Sequence, residues 1–254
     1  MIDTHAHLQD ERLLIDIQNV INNAKQVGVN KIVCASSNIA LSQQAVDIAN
    51  NFEGVFATVG IHPEDALDLP EDYLQILNNL AKNKKVVAIG EIGLDYHYEF
   101  ASRQAQKKLF VEQIILADKL NLPIVVHARD CTQDVMNIFK ENLIYLQNGV
   151  CVHCFSMSTE ILKECLSYGF YISIGGVLTF KNSKNAPDIV KECPLERLML
   201  ETDCPYLAPE PFRGKLNEPK YIPYIAQKIA DIKNISLEQV IQQTDKNAQK
   251  FFNI

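Results

Sequence analysis

The first residues of the chain place two histidines where they could act together. The sequence opens with MIDTHAHL, in which His5 and His7 are one residue apart at the end of a short apolar run. Successive side chains of a strand alternate between its two faces, so residues i and i+2 share a face. The two imidazoles are therefore predicted to converge on one point, as two ligands of a metal ion do.

Histidine closes several other apolar runs in the same way. Five of the six histidines lie at the end of such a run, namely His5, His7, His62, His127 and His153, and His97 follows another run. A lone histidine there is more often structural than a ligand, but five at equivalent positions favour a metal site. The carboxylates Glu91 and Asp203 close further runs. Nitrogen and carboxylate donors together suit zinc, manganese, cobalt or magnesium rather than copper(I) or an iron–sulfur cluster.

The number of candidate ligands predicts more than one ion. The set comprises His5, His7, Glu91, His127, His153 and Asp203. One tetrahedral ion uses about four ligands, so two divalent ions that share a carboxylate account for the set more economically. Glu91 comes from a middle strand and is predicted to be the bridging ligand.

Eight short β-branched or aliphatic runs position these residues. They are MIDTH, KIVCAS, VFATVGIH, VVAIGE, PIVVH, GVCVH, FYISIG and RLMLETD. Their starts are roughly 20 to 35 residues apart, which leaves room for the helical crossover between parallel strands. Apolar residues between them repeat with helical spacing, as in Leu13, Ile17, Val20, Ala24 and Val27, in Phe110, Ile114 and Ala117, and in Ile222, Ile225, Ile229 and Ile232.

This alternation predicts an α/β protein with the (β/α)8 TIM-barrel fold, as a single domain over residues 1–254. The histidines would then lie at the C-terminal ends of the strands, where such barrels carry their active sites. A doubly wound open sheet is the alternative. It normally carries a glycine-rich phosphate loop after an early strand, whereas the first strand here is followed by HAHLQD, which has no glycine.

Composition narrows the class of protein. The 254 residues are 47 % hydrophobic and carry a net charge of −7, so a broad basic face for nucleic acid is not expected. Any polyanion must then be met by a local basic cluster or by metal ions. We expect no membrane span and no secretory signal. Seven cysteines without small-scaffold spacing suggest free thiols in a reducing cytoplasm. Strand alternation separates Cys151 from Cys154, which argues against a redox pair.

The motifs together resemble the TatD family of metal-dependent deoxyribonucleases, which are amidohydrolase-like barrels. They are His5-x-His7, GIHP at 60–63, GEIGLDY from Gly90, His127 with Arg129, VHCFS around His153, ETD at 201–203 and the late PFRGKLNEP. The resemblance implies that the same six side chains bind the metal ions, with Glu91 bridging. It also implies that Asp203 takes the proton of the attacking water.

Further residues are candidates for catalysis or substrate binding. His62 lies between Gly60 and Pro63 in a predicted turn, so we expect it to contact substrate or support a ligand rather than bind metal. Glu201 is two residues before Asp203 and could share its face and position a ligand or the water; the alternative is a structural ion pair.

The residues expected to contact substrate are Arg129, Arg213, Asp95 and Tyr96. Arg129 and Arg213 could hold a phosphate or a terminal carboxylate, together with Lys215 and Lys220, although ordinary solvated charge is the alternative. Asp95 and Tyr96 are placed in the loop after Glu91, where they could bind substrate or serve as scaffold.

The leading function is hydrolysis of DNA phosphodiesters from a 3′ end, preferably of single strands, with RNA as a further substrate. A compact acidic protein with a deep metal-lined mouth suits a strand terminus better than a long duplex. The first alternative is hydrolysis of a cyclic amide or of an ester on an aminoacylated nucleic acid, since the fold does not determine the substrate. A non-enzymatic binding module is the second alternative and would not need six ligands. No obligate protein partner is expected.

Overall fold

The computed structural model describes residues 1–98 and 100–254, with eight strands and ten helices among them. The strands are β1 (Ile2–Ala6), β2 (Lys31–Cys34), β3 (Val55–Val59), β4 (Val86–Asp95), β5 (Ile124–Arg129), β6 (Val150–Val152), β7 (Tyr171–Ile174) and β8 (Leu198–Leu200). The helices are α1 (Glu11–Leu14), α2 (Ile17–Gln26), α3 (Ile39–Asn51), α4 (Tyr73–Leu80), α5 (Arg103–Leu120), α6 (Thr132–Asn142), α7 (Thr159–Ser167), α8 (Ala186–Glu192), α9 (Ile222–Lys233) and α10 (Leu237–Phe252).

The strands lie side by side in the order in which they occur in the sequence, from β1 to β8, and helices separate them along the chain. This arrangement confirms the predicted (β/α)8 fold class. The chain divides into two compact units, a first unit of residues 1–34 and 154–254 and a second unit of residues 35–153. A single domain over 1–254 stays a prediction.

In the first unit, parallel pairs join β1 to β2 and β7 to β8. The ends of β1 and β8 are tied by backbone hydrogen bonds, from His7 N–H to Cys204 O (2.7 Å) and from Asp203 N–H to His5 O (2.9 Å). The buried carboxylate of Asp3 also accepts hydrogen bonds from the backbone and the hydroxyl of Thr202. Burial raises the pKa of Asp3 to about 7.

In the second unit, β3, β4, β5 and β6 pair in parallel in that order. Strand β4 continues past Glu91 to Asp95, so the prediction that Asp95 lies in a loop is wrong. Gly93 permits this extension because its φ is +143° and an added Cβ would lie 2.0 Å from the carbonyl oxygen of His127. Tyr96 directly follows the strand, outside it.

The helices follow most of their apolar periodicity, with corrections between Leu13 and Val27 and at Ile232, which is only partly buried. The segment from Leu13 to Val27 contains two helices rather than one, since α1 ends at Leu14 and α2 begins at Ile17. Val27 is the C-terminal cap of α2 and is 41 % exposed, so its predicted place on the buried face is wrong. Phe110, Ile114 and Ala117 of α5 are buried as predicted.

Two further observations bear on the sequence predictions. All seven cysteines are free thiols. Among the helices of the described ranges, none has the length and apolar character needed to cross a bilayer.

Candidate metal centre

The first cluster of candidate ligands lies in the first unit and consists of His5, His7 and Asp203. The two Nε2 atoms of His5 and His7 are 3.3 Å apart. Asp203 Oδ1 lies 3.7 Å from His5 Nε2 and 3.3 Å from His7 Nε2. The convergence predicted from the spacing of the two histidines is therefore observed.

The backbone conformation of Asp203 orients its carboxylate toward this cluster. Strand β8 has ended at Leu200, and Asp203 adopts a left-handed conformation with a φ of 55°. Aspartate tolerates this region better than most residues, and such conformations occur often at functional sites. The N–H group of Asp203 donates to His5 O, which fixes the carboxylate beside the two imidazoles.

The second cluster lies in the second unit and consists of Glu91, His127 and His153. Glu91 Oε1 is 2.8 Å from both His127 Nδ1 and His153 Nε2, and these two nitrogens are 3.3 Å apart. His127 is on β5, and His153 follows β6, with its N–H group bonded to Val126 O. Three donors from three neighbouring strands thus meet at one point.

Asp95 supports this cluster from behind. Its Oδ2 lies 2.8 Å from His127 Nε2, the ring nitrogen that does not face Glu91. Burial disfavours ionisation of Asp95, but hydrogen bonds with His127 and with the backbone N–H groups of His97 and Tyr98 outweigh it and lower the pKa to about 2. A carboxylate on the remote nitrogen fixes the tautomer and orientation of a ligating histidine.

The contacts with Asp95 and Glu91 also change the pKa of His127. Burial disfavours its imidazolium, but the adjacent Asp95 and Glu91 outweigh burial and raise the pKa of His127. Cationic charge is therefore favoured at this point of the second cluster.

The backbone around Glu91 is also held firmly. Its N–H group donates to Ser36 O (2.7 Å), and Thr58 Oγ1 donates to the carbonyl of Gly90 (2.6 Å). Glu91 is 4 % exposed, so its carboxylate is presented from a nearly closed environment.

His62 stands beside the second cluster, as the N-terminal cap of a 3₁₀ helix over Pro63–Asp65 rather than within a turn. Its Nε2 is 3.7 Å from Glu91 Oε1, and its ring centroid is 4.4 Å from that of His127. Its Nδ1 accepts a hydrogen bond from the backbone N–H of Glu64. Burial and the neighbouring His127 lower the pKa of His62 to about 3, which leaves the ring neutral at physiological pH.

Glu201 is held by hydrogen bonds of its own, and a face shared with Asp203 stays a prediction. Its two carboxylate oxygens accept hydrogen bonds from Cys154 N–H (2.8 Å) and from the hydroxyl of Ser173. The side chain is fully buried. Alternation does not extend from Glu201 to Asp203 because the strand ends at Leu200. These contacts suit a positioning residue.

Of the predicted substrate residues, Arg129, Asp95 and Tyr96 lie at the ends of β5 and β4, whereas Arg213 lies in the segment between β8 and α9. Arg129 ends β5 and lies over the ring of Tyr98, with its guanidinium 5.0 Å from the ring centroid. Arg213 lies over Phe180 at 4.2 Å and donates to Asn182 Oδ1. The Tyr96 hydroxyl donates to Asp134.

The two lysines considered with them make other contacts. Lys220 is paired with Glu218, and the Nζ of Lys215 lies 6.0 Å from the ring centroid of Phe212. Substrate binding by these side chains stays a prediction.

Sequence reasoning missed two features. The support of His127 by Asp95 could have been found, because Glu91, Gly93 and Asp95 are i, i+2 and i+4 in one strand and share a face. The exposed stack of Tyr98 and Phe100 could not, because no local pattern predicts that two loop rings meet.

Distances between donor atoms test whether the clusters fit a cation. Ligand bonds of about 2.0–2.2 Å place adjacent tetrahedral donors roughly 3.3–3.5 Å apart. Separations of 3.3 and 3.7 Å in the first cluster, and of 2.8 to 3.3 Å in the second, lie close to this range. The residues present therefore fit divalent ions. The number of ions, their identity and the bridging role of Glu91 stay predictions.

Sequence comparison finds related proteins along the whole chain. A family model described as TatD-related DNase matches residues 2–253. A protein of Bacillus subtilis named uncharacterized metal-dependent hydrolase YabD is 43 % identical over 254 residues, which cover 100 % of this chain and 99 % of the relative. The protein of Citrobacter rodentium named 3'-5' ssDNA/RNA exonuclease TatD is 34 % identical over 259 residues, which cover 100 % of this chain and 98 % of the relative.

Comparison with solved structures also finds members of the TatD family. The crystal structure of YJJV, a TatD homolog from Escherichia coli, superposes with a TM-score of 0.95 at 27 % identity and covers 100 % of this chain and 98 % of that chain. A TatD-family hydrolase from Entamoeba histolytica has a TM-score of 0.90 at 28 % identity, covering 99 % of this chain and 97 % of that chain.

Proposed function

The chain belongs to the family of TatD-related DNases, which are metal-dependent hydrolases, and from this premise we propose that it removes nucleotides from the 3′ end of single-stranded DNA. The observation that carries the proposal is the pair of histidine–carboxylate clusters whose donor atoms have the spacing of metal ligands. Relatives named 3'-5' ssDNA/RNA exonucleases support the choice of bond and polarity.

The ligand set suits phosphodiester hydrolysis. Divalent ions bound there would lower the pKa of water toward about 7 and offset the charge of the phosphate. His5, His7 and Asp203 would hold one ion, and Glu91, His127 and His153 would hold the other. The protein's own task is to keep these donors in position, which Asp95 does for His127.

Asp203 is the candidate base. Its carboxylate is partly accessible, at 14 % of the side chain, and lies within 3.7 Å of two imidazoles. In this role it accepts the proton of the attacking water. Neutral His62 and buried Glu201 are placed to position neighbouring groups instead.

Charge argues for a strand end rather than a long duplex. The chain has a net charge of −7, so a polyanion gains little from the protein surface as a whole. Arg129 and Arg213 supply local positive charge, each held against an aromatic ring. Either guanidinium can form paired, charge-assisted hydrogen bonds with a phosphate of a strand end.

The test is incubation of the manganese- or magnesium-loaded protein with 5′-labelled single-stranded DNA, duplex DNA and RNA, and with a panel of cyclic amides and aminoacyl esters. We expect stepwise shortening of the single strand from its 3′ end. Asp203→Asn is the negative control, and Asp231→Asn on the exposed side of α9 is the matched control. Internal cuts alone, or hydrolysis confined to the amide and ester panel, would contradict the proposal.

A further inference from the structure

An exposed aromatic surface lies next to the second cluster. Tyr98 and Phe100 are 45 % and 61 % exposed. Their rings stack with centroids 5.5 Å apart and planes inclined by 30°. Each large aromatic side chain can bury on the order of 150–250 Å² when it packs. Two stacked rings left in water therefore form a surface of the kind that binds ligands. We call Tyr98 and Phe100 the aromatic platform.

The platform is anchored to the candidate metal ligand His127. Asp95 contacts His127 Nε2 through Oδ2, and its Oδ1 accepts hydrogen bonds from the N–H groups of His97 (2.8 Å) and Tyr98 (3.3 Å). The N–H group of Tyr96 donates to Arg129 O at 2.9 Å. One carboxylate thus holds both the ligand and the start of the segment that carries the rings, which sets the distance between them.

Positive charge accompanies the rings. The guanidinium of Arg129 lies 5.0 Å from the ring centroid of Tyr98, and that of Arg103 lies 4.3 Å from the ring centroid of Tyr96. Both arginines are exposed. Stacked aromatic rings interleaved with guanidiniums are the combination with which proteins hold single-stranded nucleic acid.

Two carboxylates lie in the same region, and each contacts a nitrogen atom of another side chain. Asp130 is 3.0 Å from His97, and Asp134 is 2.7 Å from Lys107. The charge of Asp134 is therefore offset by Lys107, which reduces its repulsion of an approaching phosphate.

A cleft beside the platform limits the size of what it accepts. It has a volume of about 260 Å³ and is lined by Tyr96, Tyr98, Ser102, Arg103 and Gln106, among others. Pockets for drug-sized ligands span roughly 300–1,000 Å³. This cleft is smaller, which suits a compact group such as a nucleobase rather than an extended ligand.

We propose that the aromatic platform stacks on bases of a single-stranded substrate while Arg129 and Arg103 contact its phosphates. This inference rests on the proposed function and specifies how that substrate is held. Bases of a duplex are already paired and stacked, whereas bases of a single strand can be placed on protein rings. The platform therefore selects single strands, and the second cluster lies next to the selected strand.

The test is a binding measurement that does not require turnover. The metal-loaded protein is titrated into a fluorescent DNA oligonucleotide with phosphorothioate linkages, and anisotropy gives Kd. We expect Phe100→Ala and Tyr98→Ala each to raise Kd about tenfold, as removal of one base–aromatic stack does. Phe100→Tyr keeps a stacking ring and should bind like the wild type.

Two controls make the result specific. Tyr145→Ala removes another exposed tyrosine of the second unit, 38 % exposed, and should leave Kd unchanged. An oligonucleotide with abasic sites near its 3′ end should bind the wild type and Phe100→Ala equally, because the variant then loses no stacking partner. If wild-type protein shortens DNA while Phe100→Ala binds the normal oligonucleotide as tightly as wild type does, the platform is refuted and the exonuclease stands. If wild-type protein neither binds nor shortens single strands, both proposals fail.

Discussion

The two compact units carry similar ligands but hold them by different means. In the second unit, side chains do the positioning, because Glu91 Oε1 is 2.8 Å from two imidazole nitrogens and Asp95 holds His127 from behind. In the first unit, backbone hydrogen bonds contribute more to positioning the ligands. Hydrogen bonds from Asp203 N–H to His5 O and from His7 N–H to Cys204 O join the ends of β1 and β8, and the donor atoms lie 3.3 to 3.7 Å apart.

The difference predicts which mutations damage each cluster. A single side-chain substitution behind His127 should loosen the second cluster, because its order depends on a carboxylate contact. The first cluster should tolerate substitutions around it but lose its chemistry when Asp203 itself changes. The first cluster, which contains the candidate base, is partly accessible: the side chains of His7 and Asp203 are 15 % and 14 % exposed.

The largest expected effect is on turnover by the first cluster. Asp203→Asn keeps the shape and one oxygen of the side chain but removes its charge and basicity. We expect kcat at saturating manganese to fall at least about a hundredfold with little change in Tm, since general-base catalysis contributes about 10² to 10⁴-fold. Steady-state kinetics over a metal titration is the measurement. Recovery of near-normal kcat at high metal concentration would leave Asp203 as a ligand only and direct the search for the base to His62 or Glu201.

The next largest effect is expected on the metal affinity of the second cluster alone. Asp95→Asn weakens the support of His127, and loss of such a partner typically lowers metal affinity about 10 to 100-fold. Calorimetric titration of metal-free protein with manganese or zinc should show one class of site weakened and the other retained. Asp203→Asn should weaken the opposite class. Equal weakening of both classes by Asp95→Asn would show that the two clusters are not positioned independently.

A smaller effect is expected on kcat/KM. It tests whether Arg213 of the first unit contacts phosphate, as Arg129 and Arg103 of the second unit are proposed to do. If Arg213 contacts substrate phosphate, Arg213→Ala should lower kcat/KM about tenfold, near the lower end of about 1.5 to 3 kcal/mol for a hydrogen bond to a charged group. Lys250→Ala, an exposed cation of α10, is the matched control. Unchanged kinetics in Arg213→Ala would place Arg213 among ordinary surface charges.

The smallest expected effect is on thermal stability, and it concerns one surface ion pair in each unit. Hydrogen bonds from Arg12 lower the pKa of Asp10, and hydrogen bonds from Lys107 and Tyr96 lower that of Asp134. A carboxyl whose pKa is lower in the folded state stabilises the fold above its unfolded pKa, near 3.8, and this stabilisation is lost as pH falls through the folded pKa.

The two side chains can be tested separately. Exposed pairs contribute about 0–1 kcal/mol, so Asp10→Asn and Asp134→Asn should each lower Tm by no more than about 4 °C at pH 7 and by less at pH 3. Thermal denaturation at the two pH values measures this. An equal loss of Tm at both values would mean that ionisation of the carboxyl contributes nothing.

The strand pattern allowed much of the candidate site to be predicted. His5 and His7 converge because alternation is a local property of a strand. The same rule would have placed Asp95 beside Glu91, but the apolar run VVAIGE ends at Glu91, so Asp95 is predicted to lie in the loop after it, whereas β4 continues to Asp95. Alternation could not settle whether Glu201 and Asp203 share a face, because β8 ends at Leu200, before both residues.

The sequence by itself determined the α/β alternation, the histidines and carboxylates at strand ends and the scarcity of positive charge, because periodicity, residue type and net charge are properties of the local chain. Only the tertiary structure decided which nitrogen of His127 faces Glu91, that Asp95 occupies the other, and that Tyr98 and Phe100 stack beside Arg129. These contacts depend on the register that pairs Gly93 with His127 and Asp95 with Arg129. Register between distant segments is set by packing of whole strands and helices, which no short stretch of sequence contains.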